Sequence, residues 1–324
     1  MVKHISKISS NCRLKPAIYF LIIFFLFTSL FAAPAYGIRL TFVKHLFDIT
    51  HDFSEPSDVS VSKEGLIYVV DGVNNKIKVF NPNGKFLYSF GSKGSKNGEL
   101  RFPLGIGIGE SGKVYIADSG NRRVQIFTPQ GSFLDQFSIP SKEGNPSEPT
   151  DVAVDESRRR CFVVDNNNHY ILAYDLQKLE LLDIYGSPGT EKREFRYPFL
   201  IALDKYQYLY IVDVINTRVQ LLNPEGLFVA EIGGWGVEKG NFFRPKGVAI
   251  DKNNRIYVSD SYMGVIQTFN PTGGFYSALA DVNQHKVKKF TTPAGIFIDA
   301  NNRLYVVEMF SDKVSVYSIE GDSE

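Results

Sequence analysis

The chain is poor in the residues that usually carry metal and redox chemistry. Histidine occurs five times in 324 residues, at positions 4, 45, 51, 169 and 285, and never at a recurring spacing. Metal catalysis needs convergent ligands, usually imidazole beside carboxylate, so neither a metal nor a cofactor is expected. There are two cysteines. Cys161 lies in the apolar run "RCFVVD" and reads as a small buried hydrophobe rather than a reactive thiol. Neither sign of charge dominates: the formal net charge is +1, and −3 once residues 1–35 are set aside. That lacks the basic field of a nucleic-acid binder, and no nucleic-acid partner is expected. Helical periodicity is missing after residue 38. The glycine clusters "GIGIGESG" and "GGWGVEKG" therefore lead into no helix, which excludes phosphate-cradling loops of the strand–turn–helix type. No nucleophile elbow is present either.

Long apolar runs are also missing, with one exception. Residues 17–33, "AIYFLIIFFLFTSLFAA", carry no charge, follow Lys3, Lys7, Arg13 and Lys15, and precede "APAYG". A basic start, an apolar stretch and small residues at Ala33 and Ala35 form the layout of a secretory signal peptide. A retained membrane anchor is the alternative, since 17 residues stand at the short limit for spanning a bilayer. Residues 1–35 are thus expected to be a signal peptide or anchor, with residues 36–324 exported to the periplasm or cell surface. Any membrane contact is expected through this segment alone.

What is abundant is Tyr and Phe, 17 and 26 residues, and these suit a pleated, half-buried surface. The chain also repeats itself. An acid follows each Tyr-Val-Val-like run at Asp71, Asp118, Asp165, Asp213, Asp260 and Glu308, at spacings of 47, 47, 48, 47 and 48. Prolines at 56, 103, 149, 198, 245 and 293 keep almost the same period. After each proline comes a short apolar stretch such as "GVAID", a polar turn, and a second stretch ending at the acid. Thirteen residues past the acid stands Gly84, Gly131, Gly226, Gly273 or Gly321, with Lys178 in the third unit. A glycine at a fixed offset between two strands marks a hairpin needing positive φ. Four short antiparallel strands in a unit of this length read as a propeller blade.

The expected fold is all-β, a six-bladed β-propeller with four-stranded antiparallel blades. The units lie near 55–91, 101–137, 147–186, 196–234, 244–280 and 291–321. The sixth unit ends without a fourth strand, while residues 39–49, "RLTFVKHLFDI", resemble one. This N-terminal strand is expected to complete the last blade and close the ring.

"YIADSGNRRVQIF" and "RPKGVAIDKNNRIYVSD" resemble the NHL repeat, and the likeness extends over residues 39–324. It implies an exported bacterial propeller and says little of function. Proteins with such repeats include RNA-binding domains, receptor-kinase sensor domains and peptidyl-hydroxyglycine amidating lyases. A lyase of that type implies metal-binding histidines around the channel, which this chain does not supply. The second and fourth units fit best, with Asn121/Arg123 and Asn216/Arg218. The fifth has Met263/Val265 in those places.

The six acids invite a catalytic reading, but each opens a tight polar turn where a carboxylate accepts backbone N–H groups. A structural role is expected, with Lys76, Arg123, Arg218 or Lys313, five positions on, as partner. Function is expected on the long inter-unit loops. Just before four of the prolines a base stands with an aromatic: Arg101 and Phe102, Arg196 and Tyr197, Phe243 and Arg244, Lys289 and Phe290. With Asn121, Arg122, His169, Asn216, Trp235, Tyr262 and Phe310 they form the candidate partner-binding set around the channel mouth, an interface-like mixture of Arg and aromatics. The expectation is a non-enzymatic scaffold holding a protein, peptide or glycan. The alternative is a small-ligand site or a lyase or hydrolase reaction at the channel mouth.

Overall fold

The structure, a computed structural model, describes residues 38–141 and 144–323, so residues 1–35, expected from the sequence to be a signal peptide or anchor, lie outside the described residues. Among the described residues no helix is long and apolar enough to cross a membrane. Among the described residues strands follow one another, interrupted by short 3-10 turns at Ser119–Asn121 and Met309–Ser311.

The fold is a β-propeller with four-stranded antiparallel blades. Each begins at a proline. The first unit is Pro56–Val61, Ile67–Asp71, Lys76–Phe80 and Phe86–Phe90, paired in that order. Three further four-stranded sheets start at Pro103, Pro149 and Pro198. Proline suits an inner strand's first residue because it has no ladder N–H to leave unpaired. The second and third strands, such as "IYVVD" and "KIKVF", are buried almost throughout, whereas Phe86–Phe90 alternates between half-buried and exposed. The hairpin glycines 84, 131, 226 and 273 have φ between 77° and 88°. In the third unit, where Lys178 replaces glycine, the positive φ moves one residue on, to Leu179 at 56°.

The last part of the chain departs from four separate sheets. Pro245–Ile250, Ile256–Asp260, Val265–Phe269 and Phe275–Asp281 share a nine-stranded sheet with Pro293–Ile298, Arg303–Glu308, Lys313–Asp322, Leu40–Ile49 and the short Lys286–Val287, which pairs with Phe275–Asp281. Strand Leu40–Ile49 pairs antiparallel with Lys313–Asp322, from Thr41↔Asp322 to Ile49↔Val314. Its first residues also pair parallel with Phe275–Asp281, Leu40 against Ala278 and Val43 against Asp281. The merger arises because the first half of this strand, paired on one edge with Lys313–Asp322, presents the N–H and C=O groups of its other edge to Phe275–Asp281.

The core lies between sheets rather than within them. Tyr68, Val70 and Val79 pack on Ile106 and Ile116 of the next sheet. Equivalent clusters join the second sheet to the third, the third to the fourth and the fourth to the nine-stranded sheet, and a further one packs Ala249 and Tyr257 on Ile296 and Leu304 within the nine-stranded sheet. One brings Ala294, Tyr305 and Val307 back against Val59, Ile67 and Val69 of the first. The inner strands line a central cavity of about 260 Å³.

Candidate functional site

The repeated acids close each unit on itself. Asp71, Asp118, Asp165 and Asp213 are fully buried at the ends of their strands, as is Asp260, and Glu308 is nearly so. Each accepts a backbone N–H from the segment before its own unit's proline: Ser54 (2.9 Å), Arg101 (2.7 Å), Glu148 (3.0 Å), Arg196 (2.7 Å), Phe243 (2.6 Å) and Thr291 (2.6 Å). The cation differs between units. Arg123 Nε donates to Asp118 at 2.7 Å and Arg218 Nε to Asp213 at 2.9 Å. Lys313 stands 3.3 Å from Glu308. In the first unit the expected partner Lys76 is exposed, and Lys78 pairs with Asp71 instead, at 2.8 Å. Two residues on along a strand is the same face, and Lys78 there takes the place that Gln125 and Gln220 hold beside their aspartates. Among the described residues no cation pairs with Asp165, and burial raises its pKa.

The asparagines and arginines of the second and fourth units reach past the acid into the inter-blade loop. Asn121 Nδ2 donates to Asp118 and to the Gly94 carbonyl, both at 2.9 Å. Asn216 does the same to Asp213 (2.8 Å) and Gly189 (2.9 Å). Arg123 Nη2 donates to the Lys96 and Glu99 carbonyls, and Arg218 Nη2 to those of Glu191 and Glu194. The Asn121 and Asn216 amide hydrogens are therefore spent within the fold, so these two residues shape the loop face more than they offer donors to a partner.

The remaining candidates divide. Arg101, Arg122, Arg196, Arg244 and Lys289 are exposed. So are Phe102, Tyr197, Trp235, Tyr262 and Phe310, from 47% at Tyr197 to 76% at Trp235. Phe102 and Tyr197 carry φ of 46° and 54° immediately before proline, an uncommon conformation for bulky residues that needs support from its surroundings. That support is visible. The Phe102 N–H donates to Asn75 Oδ1 at 2.9 Å, and the Tyr197 N–H to His169 Nδ1 at 3.0 Å. His169 also meets the Tyr197 ring edge-on, centroids 4.5 Å apart. Burial, and then the Arg196 charge, lower the His169 pKa. Tyr262 stacks on Phe243 at 4.2 Å. Phe290 is buried, and Lys289 Nζ donates to the Met263 carbonyl.

Sequence reasoning missed several features. Val73 and Ile215, each two residues past its acid, are exposed at 44% and 51%, as is Val237 at 70%. The offset of Val73 and Ile215 matches that of Tyr262 and Phe310, a signal the sequence did carry. None of the loop-face candidates lines the central cavity, which belongs to other residues. Asp58 and Asp151 stand there at the place that Gly105, Gly247 and Gly295 hold in other units. The Asp58 carboxylate accepts the Ile106 N–H of the next blade (3.1 Å) and Asp151 accepts that of Ile201 (2.8 Å). A Cβ on Gly105 would collide with Asp151, and one on Gly295 with Asp58. Burial raises the Asp58 pKa to about 7. Burial and the neighbouring Asp58 charge hold Asp151 well above the usual carboxylate range. At the start of another inner strand, Lys246 lies 3.6 Å over the Phe199 ring. Burial, and then Arg244, lower its pKa to about 8. Among the described residues no group of three or more His, Cys, Asp or Glu side chains is placed to hold a metal ion.

The turn acid, its backbone donors and the repeated blade are accompanied by a direct match. Residues 53–80 and 100–127 fit the model of the NHL repeat. The chain carries NHL repeats. No curated protein sequence matches it. Solved structures with a similar fold include a catalytically inactive virginiamycin B lyase from Staphylococcus aureus with quinupristin. It shares 15% identity, with 83% of this chain and 82% of that one covered and a TM-score of 0.60. A streptogramin B lyase shares 14% over 86% of this chain and 98% of its own, also at 0.60. A protein of unknown function from Bacteroides thetaiotaomicron shares 15% over 87% of this chain and 75% of its own, at 0.62. At such identities the likeness of this NHL-repeat chain to them is one of fold.

Proposed function

We propose that this chain is a non-enzymatic, exported six-bladed scaffold that holds a protein, peptide or glycan on its loop face. The blade count treats the nine-stranded sheet as two blades, the second completed by Leu40–Ile49 and the seam sealed by its parallel pairing. The observation that carries the functional reading is the contrast between acids and aromatics on one face. The turn carboxylates are buried and occupied by backbone and side-chain donors of the fold, whereas Phe102, Tyr197, Trp235, Tyr262 and Phe310 stand exposed beside Arg101, Arg196, Arg244 and Lys289. Exposed aromatics and arginines on rigid loops have the composition of interface anchors. The N-terminal apolar run is the ground for export.

The test is capture from extract of the source organism with the native chain and with Arg101→Glu, Arg196→Glu and Arg244→Glu combined. A partner held by the native chain and lost by the triple variant is the expected result. Retention by both, or by neither, counts against the loop face. A second reading is a small-ligand or lyase- or hydrolase-type site at the channel mouth. Its candidate base is Lys246, which lies over the Phe199 ring and whose pKa burial and Arg244 lower to about 8. The two similar structures named as lyases are compatible with it. Turnover abolished by Lys246→Met, with capture unaffected, would favour that reading.

A further inference from the structure

Three inter-blade loops, 91–103, 186–198 and 233–245, share one frame. In each, a glycine N–H closes on a carbonyl six residues later: Gly94 on Leu100, Gly189 on Phe195, Gly236 on Phe242. In each, a glutamine from the next blade's third strand grips the loop: Gln125 on Glu99, Gln220 on Glu194, Gln267 on Asn241. In the first two the space between loop and blade is filled by a polar plug. Arg123 spans Asp118, the loop carbonyls and Gln136; Arg218 spans Asp213, the loop carbonyls and Glu231.

The third frame has lost the whole plug at once. Met263 stands where Asn121 and Asn216 do, Val265 where Arg123 and Arg218 do, and Ala278 where Gln136 and Glu231 do. Asp260, deprived of its arginine, is satisfied by the N–H groups of Phe243, Arg244, Tyr262 and Met263. The result is a pocket of about 360 Å³ walled by Met263, Val265, Ala278, Phe275, Val287 and Val237. Ile38 also borders it, and so do Lys239, Lys289 and Glu238 at its rim. Lys286 and Arg244 are exposed on the adjoining segments. Bases therefore outnumber the one rim acid, and the exposed Trp235 belongs to the same loop.

We propose that this pocket receives one bulky apolar side chain, aromatic or leucine-like, of a peptide whose flanking residues are acidic. Three substitutions that are apolar together, at places held elsewhere by a hydrogen-bonded network, turn a structural plug into a receptor. The apolar walls take the anchor, and Lys239, Lys286, Lys289 and Arg244 take the flanking carboxylates. The inference rests on the scaffold reading and names the partner's chemistry at one sector of the loop face.

The test uses the full-length protein, processed as its host leaves it, and fluorescein-labelled pentapeptides read by anisotropy. The probes are Asp-Asp-Phe-Asp-Asp, Asp-Asp-Ala-Asp-Asp and Lys-Lys-Phe-Lys-Lys. The first is expected to bind saturably and the other two about 10- to 100-fold more weakly, the worth of one buried apolar side chain or of its charge match. Met263→Asn, Val265→Arg and Ala278→Gln together rebuild the plug of the second blade. They are expected to leave the fold intact by thermal melting and to weaken the Phe peptide by a similar factor. Ala278→Leu, which fills the pocket with carbon alone, serves if the triple variant does not fold. Equal binding of the Phe and Ala peptides, or by the native and refilled proteins, overturns the proposal. So does no binding at all. Loss of the capture result with peptide binding intact would sink the wider scaffold reading and not this site.

Discussion

At the scale of single residues, the informative positions are those where a unit departs from its siblings. Asp58 and Asp151 are two such departures, carboxyls in place of glycine at the centre of the molecule. With the Asp58 pKa raised to about 7 against an ordinary value near 4, the folded protein holds a proton that the unfolded chain releases. Stability from this group is present in acid and lost as pH rises from about 4 to about 7. Asp58→Asn keeps an acceptor for the Ile106 N–H and removes the titration. The melting temperature of the variant relative to the native protein is expected to rise across that interval and level off above it. A pH-independent difference would mean that Asp58 is not protonated in the fold. Sequence alone could show that these aspartates break the Pro-x-Gly pattern. Only the packing shows that they face a cavity and the backbone of the neighbouring blades.

At the scale of the element, a strand pair is locked to the loop before it by its turn carboxylate and, in the second and fourth units, by an arginine as well. In the second blade Arg123 is 7% exposed and bonded to Asp118, Gln136 and two loop carbonyls. Removing one partner of a buried ion pair costs about 3 kcal/mol. Arg123→Ala is therefore expected to destabilise by about that amount. It should also speed amide exchange in Gly94–Leu100 while leaving the equivalent loop at 186–198 unchanged. Hydrogen-exchange mass spectrometry reads both; uniform change in the two loops would contradict a local clamp. The acid–arginine pairing was legible at Asp118 and Asp213 because the five-residue offset repeats. It was not legible at Asp71, because the choice between Lys76 and Lys78 depends on which long side chain turns under the loop.

At the scale of the molecule, closure depends on residues far apart in the chain. Asp322 accepts a bidentate pair from Arg255 (2.9 and 3.0 Å), the Tyr276 hydroxyl (2.7 Å) and the Thr41 hydroxyl (2.6 Å). It thereby joins the C-terminal strand, the N-terminal strand and the sheet between them. Asp322→Ala is expected to lower the melting temperature and to raise exchange in Leu40–Val43 and Phe275–Asp281 together. Exchange confined to the C-terminal residues would show the parallel seam to be independent of this cluster.

The sequence by itself determined the repeat, the four-stranded unit, the turn acids and the missing fourth strand. Each follows from local chemistry recurring at a fixed offset: a proline that cannot donate, a glycine or its substitute at positive φ, a carboxylate beside free N–H groups. Only the tertiary structure decided that Leu40–Ile49 pairs on both edges, that Asn121 and Asn216 spend their donors inward, and that Met263, Val265 and Ala278 enclose a pocket. Those outcomes depend on residues brought together from different blades. Periodicity reports what each unit shares, whereas a cavity or a seam arises from what one unit lacks and what its neighbour leaves unfilled.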